Sequence, residues 1–237
     1  MKKLKFSIII PALHESDKIN SLVEHLEGLK SSQDAELIVV DGNPNGDTIQ
    51  VIRSNRVRKM VAPKGRARQM NAGASIAKGE ILIFLHADTE LPPNALKTIN
   101  SAMAQKGYVG GAFELDIDSH KIEYKILVRW ASLRCRLTRI PYGDQAIFIK
   151  RHYFNALGGY RDTALMEDVE LMRRIKRRGD KIFIVPEKVR TSPRRWEQEG
   201  FVYVNVRNAF LFFSYMLGVS PEKLASFYKD TYKKNVE

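Results

Sequence analysis

An acidic residue closely follows a short apolar run near the middle of the chain. Residues 81–85 are all apolar, and His86, Ala87 and Asp88 come next. A run of this kind predicts a strand that is buried on both faces, as in a parallel sheet. Ligands of open α/β sheets bind beyond the carboxyl ends of the strands, so Asp88 is expected to meet a metal ion or a phosphate. The alternative is that Asp88 caps the helix that follows it.

Two further predicted strands end near acidic residues. The strand at residues 6–11 leads into a loop that reaches Glu15, and the strand at residues 36–40 ends at Asp41. In a parallel sheet these ends meet at the same edge as Asp88. Several carboxylates at one edge are costly unless a cation or hydrogen bonds offset their charges. A divalent metal ion bound together with a nucleotide would do so.

The three strand ends differ in the chemistry they suit. Asp41 suits hydrogen bonds from a base or a ribose, whereas Asp88 suits a hard cation bound through oxygen. The imidazole of His86 is a ligand that Mn²⁺ tolerates better than Mg²⁺ does.

A basic segment lies between the second and the last of these strand ends. Lys64, Arg66 and Arg68 flank Gly65 at the start of a helix predicted over residues 66–77. Cations beside a glycine at a helix start suit a diphosphate, although a solvated basic turn is the alternative. The glycine motifs of dinucleotide dehydrogenases and of P-loop ATPases are absent from the sequence, which argues against both classes.

A second acidic site opens a helix predicted over residues 162–178. Asp168 shares a face with the apolar stripe of that helix, while Glu167, Glu170, Arg174 and Arg177 are expected on the other side. An acid on the inward face at a helix start is either a cap or a group directed into a cleft. In a cleft, partial burial would raise the proton affinity of Asp168 and suit it to act as a general base.

One further pair of residues combines a cation with an aromatic ring. Arg195 offers a guanidinium fork for phosphate, and Trp196 offers a face for a sugar ring. The alternative is a basic loop with a packed tryptophan.

The elements that must position these residues alternate along the first half of the chain. Strands are predicted at 6–11, 36–40, 57–61 and 81–85, with helices at 16–30 and 66–77 and another from Asn94. This order indicates an α/β fold with a mostly parallel central sheet flanked by helices. The second half adds predicted strands at 110–115, 145–149 and 182–185, and helices at 124–138, 162–178 and 202–217.

Length, charge and cysteine content further limit the classes of protein to which the chain can belong. The chain has 237 residues with a net charge of +12 and 44% hydrophobic residues, which fits one folded domain with an anionic partner. The single cysteine, Cys135, excludes a disulfide framework within the chain and fits a reducing, cytoplasmic location. The first apolar run is too short for a signal peptide, and none reaches the roughly 18 residues of a spanning helix.

The C-terminal helix is rich in aromatic residues, so we expect a helix that covers the core. Peripheral contact with a membrane, or a homodimer interface, is the other possibility. The aromatic residues concerned are Phe201, Tyr203, Phe210, Phe212, Phe213 and Tyr215.

Together the motifs resemble those of the family 2 glycosyltransferases, which have a GT-A fold. Residues 7–15 resemble the opening strand and nucleotide loop, with His14 where an Asn is more common, and residues 39–42 resemble the strand that holds the nucleotide base. His86-Ala87-Asp88 resembles the D-x-D metal motif, and Glu167-Asp168 resembles the E-D motif. The resemblance implies inverting transfer from a nucleotide diphosphate-sugar, with Mn²⁺ or Mg²⁺ on Asp88 and Asp168 as the catalytic base.

The resemblance narrows at four segments, 65–73, 84–89, 141–145 and 166–171. These are similar to the radical-SAM/selenodomain-associated transferases, a subgroup linked with arsenosugar biosynthesis, in which His-Ala-Asp is the usual form of the metal motif. The chain is then expected to be a single GT-A domain, residues 1–237. Its nucleotide-sugar half spans about 1–115, and its acceptor half spans about 116–237 with the C-terminal helix.

The resemblance assigns expected roles along the whole chain. The donor is expected at Pro11, Ala12, Glu15, Asp41, Lys64, Arg66, Arg68, Asn71, Ala87 and Asp88, the metal at Asp88 and His86, and the acceptor at Gln145, Glu167, Arg195 and Trp196.

Two other functions compete with this interpretation. A nucleotidyltransferase acting on sugar phosphates would carry a glycine-rich loop after the first strand, and residues 12–15 lack glycine. A basic nucleic-acid-binding module would arrange its cations in one stripe with interleaved aromatics, whereas here they are scattered. Nucleic acid is therefore not expected as a partner.

Overall fold

The computed structural model describes residues 4–227, which contain eight strands and ten α-helices. The strands are β1 (Phe6–Ala12), β2 (Ala35–Asp41), β3 (Val57–Val61), β4 (Ile81–Phe84), β5 (Thr89–Glu90), β6 (Tyr108–Ile117), β7 (Ile147–Lys150) and β8 (Lys181–Thr191). The helices are α1 (Ile19–Glu27), α2 (Asp47–Gln50), α3 (Arg66–Ile76), α4 (Ala95–Ala104), α5 (Ile122–Thr138), α6 (Arg151–Leu157), α7 (Glu167–Arg177), α8 (Arg194–Glu199), α9 (Phe201–Met216) and α10 (Pro221–Ala225).

The described strands form one mixed sheet in the order β3-β2-β1-β4-β7-β6-β8-β5. The predicted parallel half is confirmed, since β1 pairs in parallel with β2 and β4, and β2 pairs in parallel with β3. The second half is mixed: β7 runs antiparallel between β4 and β6, and β5 runs antiparallel to β8, whereas β6 and β8 are parallel. The register pairs Ala12 with Asp41, which brings the carboxyl ends of β1 and β2 together.

The core lies on both faces of the sheet. Ile8 and Ile10 of β1 pack on the side of α1 and α4, and Ile9 packs on the side of α3 and α7. All three isoleucines are fully buried, as a wholly apolar strand predicts. At Gly73 of α3 an added Cβ would lie 2.5 Å from Cγ2 of Ile9, so glycine lets this helix pack directly against β1.

Several predicted boundaries were wrong. The helix predicted at 16–30 is confined to α1, and the helix predicted at 162–178 begins only at Glu167. The strand predicted at 182–185 continues to Thr191 because it pairs with β6 and then with β5. Pairing between distant strands sets that length, and local patterning does not reveal it. Helices α6, α8 and α10 were not predicted.

Candidate active site

The ends of β1 and β2 are joined by a buried glutamine of α3. Gln69 is 3% exposed, and its Nε2 donates hydrogen bonds of 2.8 Å to the carbonyls of Ala12 and Val40. The backbone N–H of Gly42 also donates to the carbonyl of Ala12. Gln69 was not predicted as a site residue, although a polar side chain on the sheet-facing side of a helix is an available signal. It fixes the ends of β1 and β2, from which the loop at residues 12–15 continues.

Asp41 is fully buried and organises the loop that follows β2. Its Oδ1 accepts from the N–H of Asn43 at 2.8 Å, and its Oδ2 accepts from Thr48 at 2.8 Å and Ile49 at 3.2 Å. The carboxylate that was predicted to hold a nucleoside is thus committed to backbone donors. It shapes the border of the site, and it has no exposed surface of its own.

The loop after β1 is fastened at two points. His14, which has a left-handed φ of 56°, lies with Nδ1 2.6 Å from Oδ2 of Asp47. Glu15 is buried, and its Oε1 accepts from Nη2 of Arg194 at 2.7 Å. Glu15 was predicted to contact the donor, and the structure shows that it ties the loop to the start of α8.

The end of β4 presents His86 and Asp88, and both side chains are half-buried. The carbonyl of Asp88 accepts from the N–H of Ser192 at 3.1 Å, and its Oδ1 accepts from the hydroxyl of Thr89 at 3.3 Å. Burial, together with the cations of Arg66 and Arg195, lowers the pKa of His86 to about 3 against the opposing charge of Asp88. The imidazole is therefore neutral at physiological pH, the form that can bind a metal or accept a hydrogen bond.

Asp168, in the first turn of α7, is half-buried and held by two backbone donors. Oδ2 accepts from the N–H of Gly143 and Oδ1 from the N–H of Val169, both at 2.6 Å. A Cβ added to Gly143 would lie 2.8 Å from Nε2 of His86 and 3.5 Å from Oδ2 of Asp168. The structure therefore brings the side chains of His86 and Asp168 next to the same glycine.

The prediction that Glu167 and Glu170 lie away from the core was wrong. Each is 7% exposed. The loop before α7 covers that side, because Arg174 donates to the carbonyls of Leu157 and Gly159 as well as to Glu170, its predicted partner. The helical pattern identified the apolar face but not the loop that packs on the polar one.

Glu167 and Asp168 form a coupled acidic pair. Burial and the neighbouring charge of Asp168 raise the pKa of Glu167 to about 7, against the opposing effect of Arg66. Burial also raises the pKa of Asp168, but the N–H groups of Gly143 and Val169 favour its charged form. The two backbone donors therefore favour the charged form of Asp168 over that of Glu167, for which the described residues supply no comparable pair of donors to offset burial.

Asp144 is a site residue that the sequence interpretation missed. Its Oδ1 is inaccessible to solvent and has no hydrogen-bond partner within the described part of the chain. Burial, followed by the charge of Asp168 and more weakly that of Asp88, raises the pKa of Asp144 to about 6, against Arg134 and Arg66. The signal was present, since Asp144 lies in the segment 141–145 from which only Gln145 was chosen.

Gln145 holds the turn in front of β7. It is 1% exposed, its Nε2 donates to the carbonyl of Phe113 at 2.9 Å, and its Oε1 accepts from the N–H of Tyr142 at 3.0 Å. Gln145 was predicted to contact the acceptor, but its side-chain amide is buried and bonded to backbone groups.

The basic residues at 64–68 have different surroundings, and Arg66 acts on the acidic residues of the site. Arg66 lowers the pKa values of Glu167, Asp144 and Asp168, so its charge lies at the acidic cluster. Arg68 instead pairs with Asp162, with Nε 2.9 Å from both carboxylate oxygens. Asn71 was predicted to contact the donor, but its side-chain amide exchanges two hydrogen bonds with the backbone of Tyr160. Lys64 is exposed.

Arg195 and Trp196 lie in the first turn of α8, which begins at Arg194. The charge of Arg195 reaches His86, and its Nε lies 3.6 Å from Oε1 of Glu199. Trp196 packs edge-on against Tyr124 at 5.9 Å between ring centroids, and its Nε1 donates to Asn205 at 3.4 Å. The tryptophan is thus part of an aromatic cluster and is only partly available to a sugar.

The chemistry of the acids fits a cation that is shared with a ligand. Within residues 4–227, no three His, Cys, Asp or Glu side chains are grouped so as to hold a metal ion by themselves. Asp88 has one long side-chain contact, and Asp144 has a buried oxygen without a partner among the described residues. Mg²⁺ and Mn²⁺ are commonly held by one or two carboxylates together with substrate phosphates.

The curled mixed sheet, with its polar edge at the ends of β1, β2 and β4, defines a GT-A-type α/β fold. The family model for glycosyl transferase family 2 matches residues 7–161. The chain therefore belongs to that family.

None of the helices in residues 4–227 combines the length and apolar character that crossing a bilayer requires.

Two curated relatives carry related names. The probable glycosyltransferase YdaM of Bacillus subtilis is 28% identical over 231 residues, covering 84% of this chain and 52% of its own length. The dolichol-phosphate mannosyltransferase of Mycosarcoma maydis is 28% identical over 119 residues, covering 44% of this chain and 40% of its own. The chain thus spans about half or less of the length of these relatives.

Solved structures share the fold at low identity. The mannosyltransferase PcManGT of Pyrobaculum calidifontis, in complex with GDP-Man and Mn²⁺, has a TM-score of 0.63 at 18% identity and covers 80% of this chain and 57% of its own. S. aureus TarS 1-349 in complex with UDP-GlcNAc has a TM-score of 0.62 at 14% identity, covering 80% of this chain and 58% of its own.

Proposed function

We propose that this chain is an inverting glycosyltransferase that moves a sugar from a nucleotide diphosphate-sugar to an acceptor hydroxyl, with the aid of a divalent cation. The observation that carries the proposal is the position of Asp168. Two backbone donors orient its carboxylate, and the glycine that supplies one of them adjoins His86 at the end of β4. A base is thereby held beside the sheet edge where a donor would bind.

The donor side of the site is assigned to the sheet edge and the start of α3. The loop from Pro11 to Glu15 and the loop shaped by Asp41 would enclose the nucleoside. Arg66, at the first position of α3, would face the diphosphate, because its positive charge already reaches the acidic cluster. Binding of an anionic donor is consistent with the net charge of +12.

The cation is assigned to Asp88, with the neutral His86 as the second ligand and Asp144 as a further negative charge beside it. Mn²⁺ and Mg²⁺ both suit this set of donors. When bound, such an ion neutralises the charge that develops on a diphosphate leaving group.

The protein's part in the chemical step is proton removal by Asp168. The acceptor oxygen would attack the anomeric carbon from the face opposite the diphosphate, forming one carbon–oxygen bond as the other breaks. The hydroxyl proton would pass to a lone pair of Asp168, whose charged form the N–H groups of Gly143 and Val169 favour. A single displacement with one base inverts the anomeric configuration.

The acceptor is assigned to the side of Arg195, Trp196 and Glu167. The proposal also includes membership of the radical-SAM/selenodomain-associated subgroup, a single catalytic domain and a cytoplasmic location. Contact of the C-terminal helix with a membrane or a second copy is supported by the exposure of Tyr203, Phe210 and Phe213, whereas Phe201, Phe212 and Tyr215 are half-buried.

A donor screen tests the proposal directly. Thermal unfolding would be measured with a panel of nucleotide diphosphates and their sugars, with and without Mn²⁺. We expect stabilisation by one nucleotide series, and proton NMR of the product formed from that donor should show an inverted anomeric centre. Failure of every nucleotide to raise the melting temperature, or retention of configuration in the product, would reject it.

A further inference from the structure

Helices α5 and α9 lie side by side and run in parallel. The ring of Tyr124 on α5 contacts that of Phe201 on α9, with 5.3 Å between centroids. Further along both helices, the guanidinium of Arg134 lies 5.9 Å from the ring centroid of Phe212. Because these contacts advance in the same direction along both helices, the two helices form a parallel pair. We call the solvent-exposed side of this pair the α5–α9 face.

Each helix presents an apolar stripe to solvent on this face. On α5 the exposed residues recur at helical spacing, with Trp130 67% and Leu137 74% exposed, and on α9 Val202 and Phe213 are 71% and 64% exposed. Continuous exposed apolar surface of this kind marks a binding surface in monomeric proteins. The stripes comprise Ile122, Ile126, Trp130, Leu133 and Leu137 on α5, and Val202, Val206, Phe210 and Phe213 on α9 with Leu217 just after it.

The exposed charged side chains among the described residues of α5 are cations, Lys125, Arg129 and Arg136, and each immediately precedes a residue of the apolar stripe. Arg136 is paired with Glu114, and the half-buried Glu123 lies beside Ile122 at the start of the helix. In α9 the one charged residue of the sequence is Arg207, which is buried. The α5–α9 face is therefore apolar, with the exposed cations Lys125 and Arg129 on its border.

A lipid surface fits this border better than a second copy of the chain does. A symmetric dimer would place the same cationic edges near one another, on a protein that already carries a net charge of +12. An anionic bilayer instead accepts the apolar side chains at its interface, while Lys and Arg reach its headgroups. Tryptophan, represented by Trp130, favours that depth.

We propose that the α5–α9 face docks on the surface of an anionic lipid bilayer. Helix α5 also contacts the candidate active site, since its Arg134 stacks 3.7 Å from the ring centroid of Tyr142, and Tyr142 precedes Gly143, which donates to Asp168. The inference makes specific the membrane contact included in the proposed function, and it does not depend on the proposed glycosyl transfer, because lipid binding is measured without turnover.

Co-sedimentation with vesicles tests the inference on the full chain. Vesicles of phosphatidylcholine alone would be compared with vesicles that also contain phosphatidylglycerol. We expect binding to the anionic vesicles only, weakened by salt, and at least about tenfold weaker in the double variant Lys125→Glu/Arg129→Glu. Lys97→Glu on α4, which is also exposed, is the matched control and should bind like the parent chain.

Tryptophan fluorescence locates the contact. The chain has two tryptophans, so the variant Trp196→Phe leaves Trp130 as the single reporter. Its emission should shift to the blue when anionic vesicles are added. Absence of binding to both vesicle types, unchanged binding by the double variant, or an unshifted Trp130 spectrum would overturn the proposal. A concentration-dependent dimer that Phe213→Ser dissociates, without vesicle binding, would assign the face to a second copy instead.

Discussion

The backbone N–H of Gly143 donates a 2.6 Å hydrogen bond to Oδ2 of Asp168, and so joins the turn before β7 to the first turn of α7. The second carboxylate oxygen accepts from Val169 at the helix start, where the helix dipole also favours a negative charge. Each oxygen keeps a lone pair that these two bonds do not use. The arrangement orients a carboxylate while leaving it able to accept a proton.

Asp168→Asn is expected to abolish transfer and to spare donor binding. The amide keeps the size of the side chain but cannot remove a proton, so turnover should fall by a factor on the order of 100 to 10,000. The measurement is kcat together with the donor Kd. Asp118→Asn, at an exposed carboxylate, is the control and should turn over normally. Full turnover by Asp168→Asn would remove it from the role of base.

Gly143→Ala should lower kcat because the added methyl group would press on His86 and Asp168. A Cβ at 2.8 Å from Nε2 of His86 forces the turn or the imidazole to move. If the turn moves, the hydrogen bond from the N–H of residue 143 to Asp168 is displaced with it. A displacement of about 1 Å costs on the order of 100-fold in rate. Gly28→Ala is the matched control, since its Cβ would meet only ordinary contacts from 3.4 Å outward. Equal activity of the two variants would contradict the geometric argument.

The sequence predicted the parallel half of the sheet because its strands are wholly apolar and buried on both faces. It also predicted the inward Asp168, because helical spacing places that residue with Leu171 and Ile175. It could not predict that Asp41 is enclosed by the loop after β2, or that Glu167 lies under a covering loop. Those outcomes depend on packing between distant segments, which local patterns do not encode.

The same limit applies to polar residues that serve the scaffold. Asn71 and Gln145 have the residue types expected of ligand contacts, yet both amides are satisfied by backbone groups from other elements. Gln69 is the opposite case, since it was not predicted as a site residue, and its amide binds the carbonyls of Ala12 and Val40 at the ends of β1 and β2. A buried polar group requires a partner, and sequence alone does not reveal whether that partner is protein or ligand.

Glu167→Gln should reduce the loss of stability as pH rises. The pKa of Glu167 is raised to about 7 in the folded chain, so its favourable contribution is present below its ordinary value and is lost as pH rises through about 7. Glutamine imitates the protonated form at every pH. Urea unfolding at about pH 5 and about pH 8 should therefore show a shallower decline in the variant. Because Asp144 also has a raised pKa, the free energy of unfolding of the variant should still decline somewhat as pH rises. An equal decline in the parent chain and in Glu167→Gln would show that Glu167 is not the titrating group.

Asp144→Asn should stabilise the chain and impair transfer. Above the raised pKa of about 6 this carboxylate is ionised beside Asp168, with one buried oxygen that has no partner in the described residues. Removing the charge should increase the free energy of unfolding at neutral pH by about 1 kcal/mol. Because the same charge faces the proposed cation site, activity should fall. A variant that is less stable and fully active would show that Asp144 acts only on the fold.

Removal of divalent cations should abolish transfer, and Asp88→Asn should raise the Mn²⁺ concentration needed to restore it. Asp88 is the strand-end carboxylate with one long side-chain contact, so it can bind a hard cation without breaking the scaffold. Loss of a ligand or its orienting partner typically costs about 10- to 100-fold in metal affinity. Glu90→Gln, two residues further on and exposed, is the matched control and should require the same Mn²⁺ as the parent chain. Activity that persists in excess chelator would exclude a cation-dependent step and leave Arg66 and Arg195 as the groups that neutralise the diphosphate.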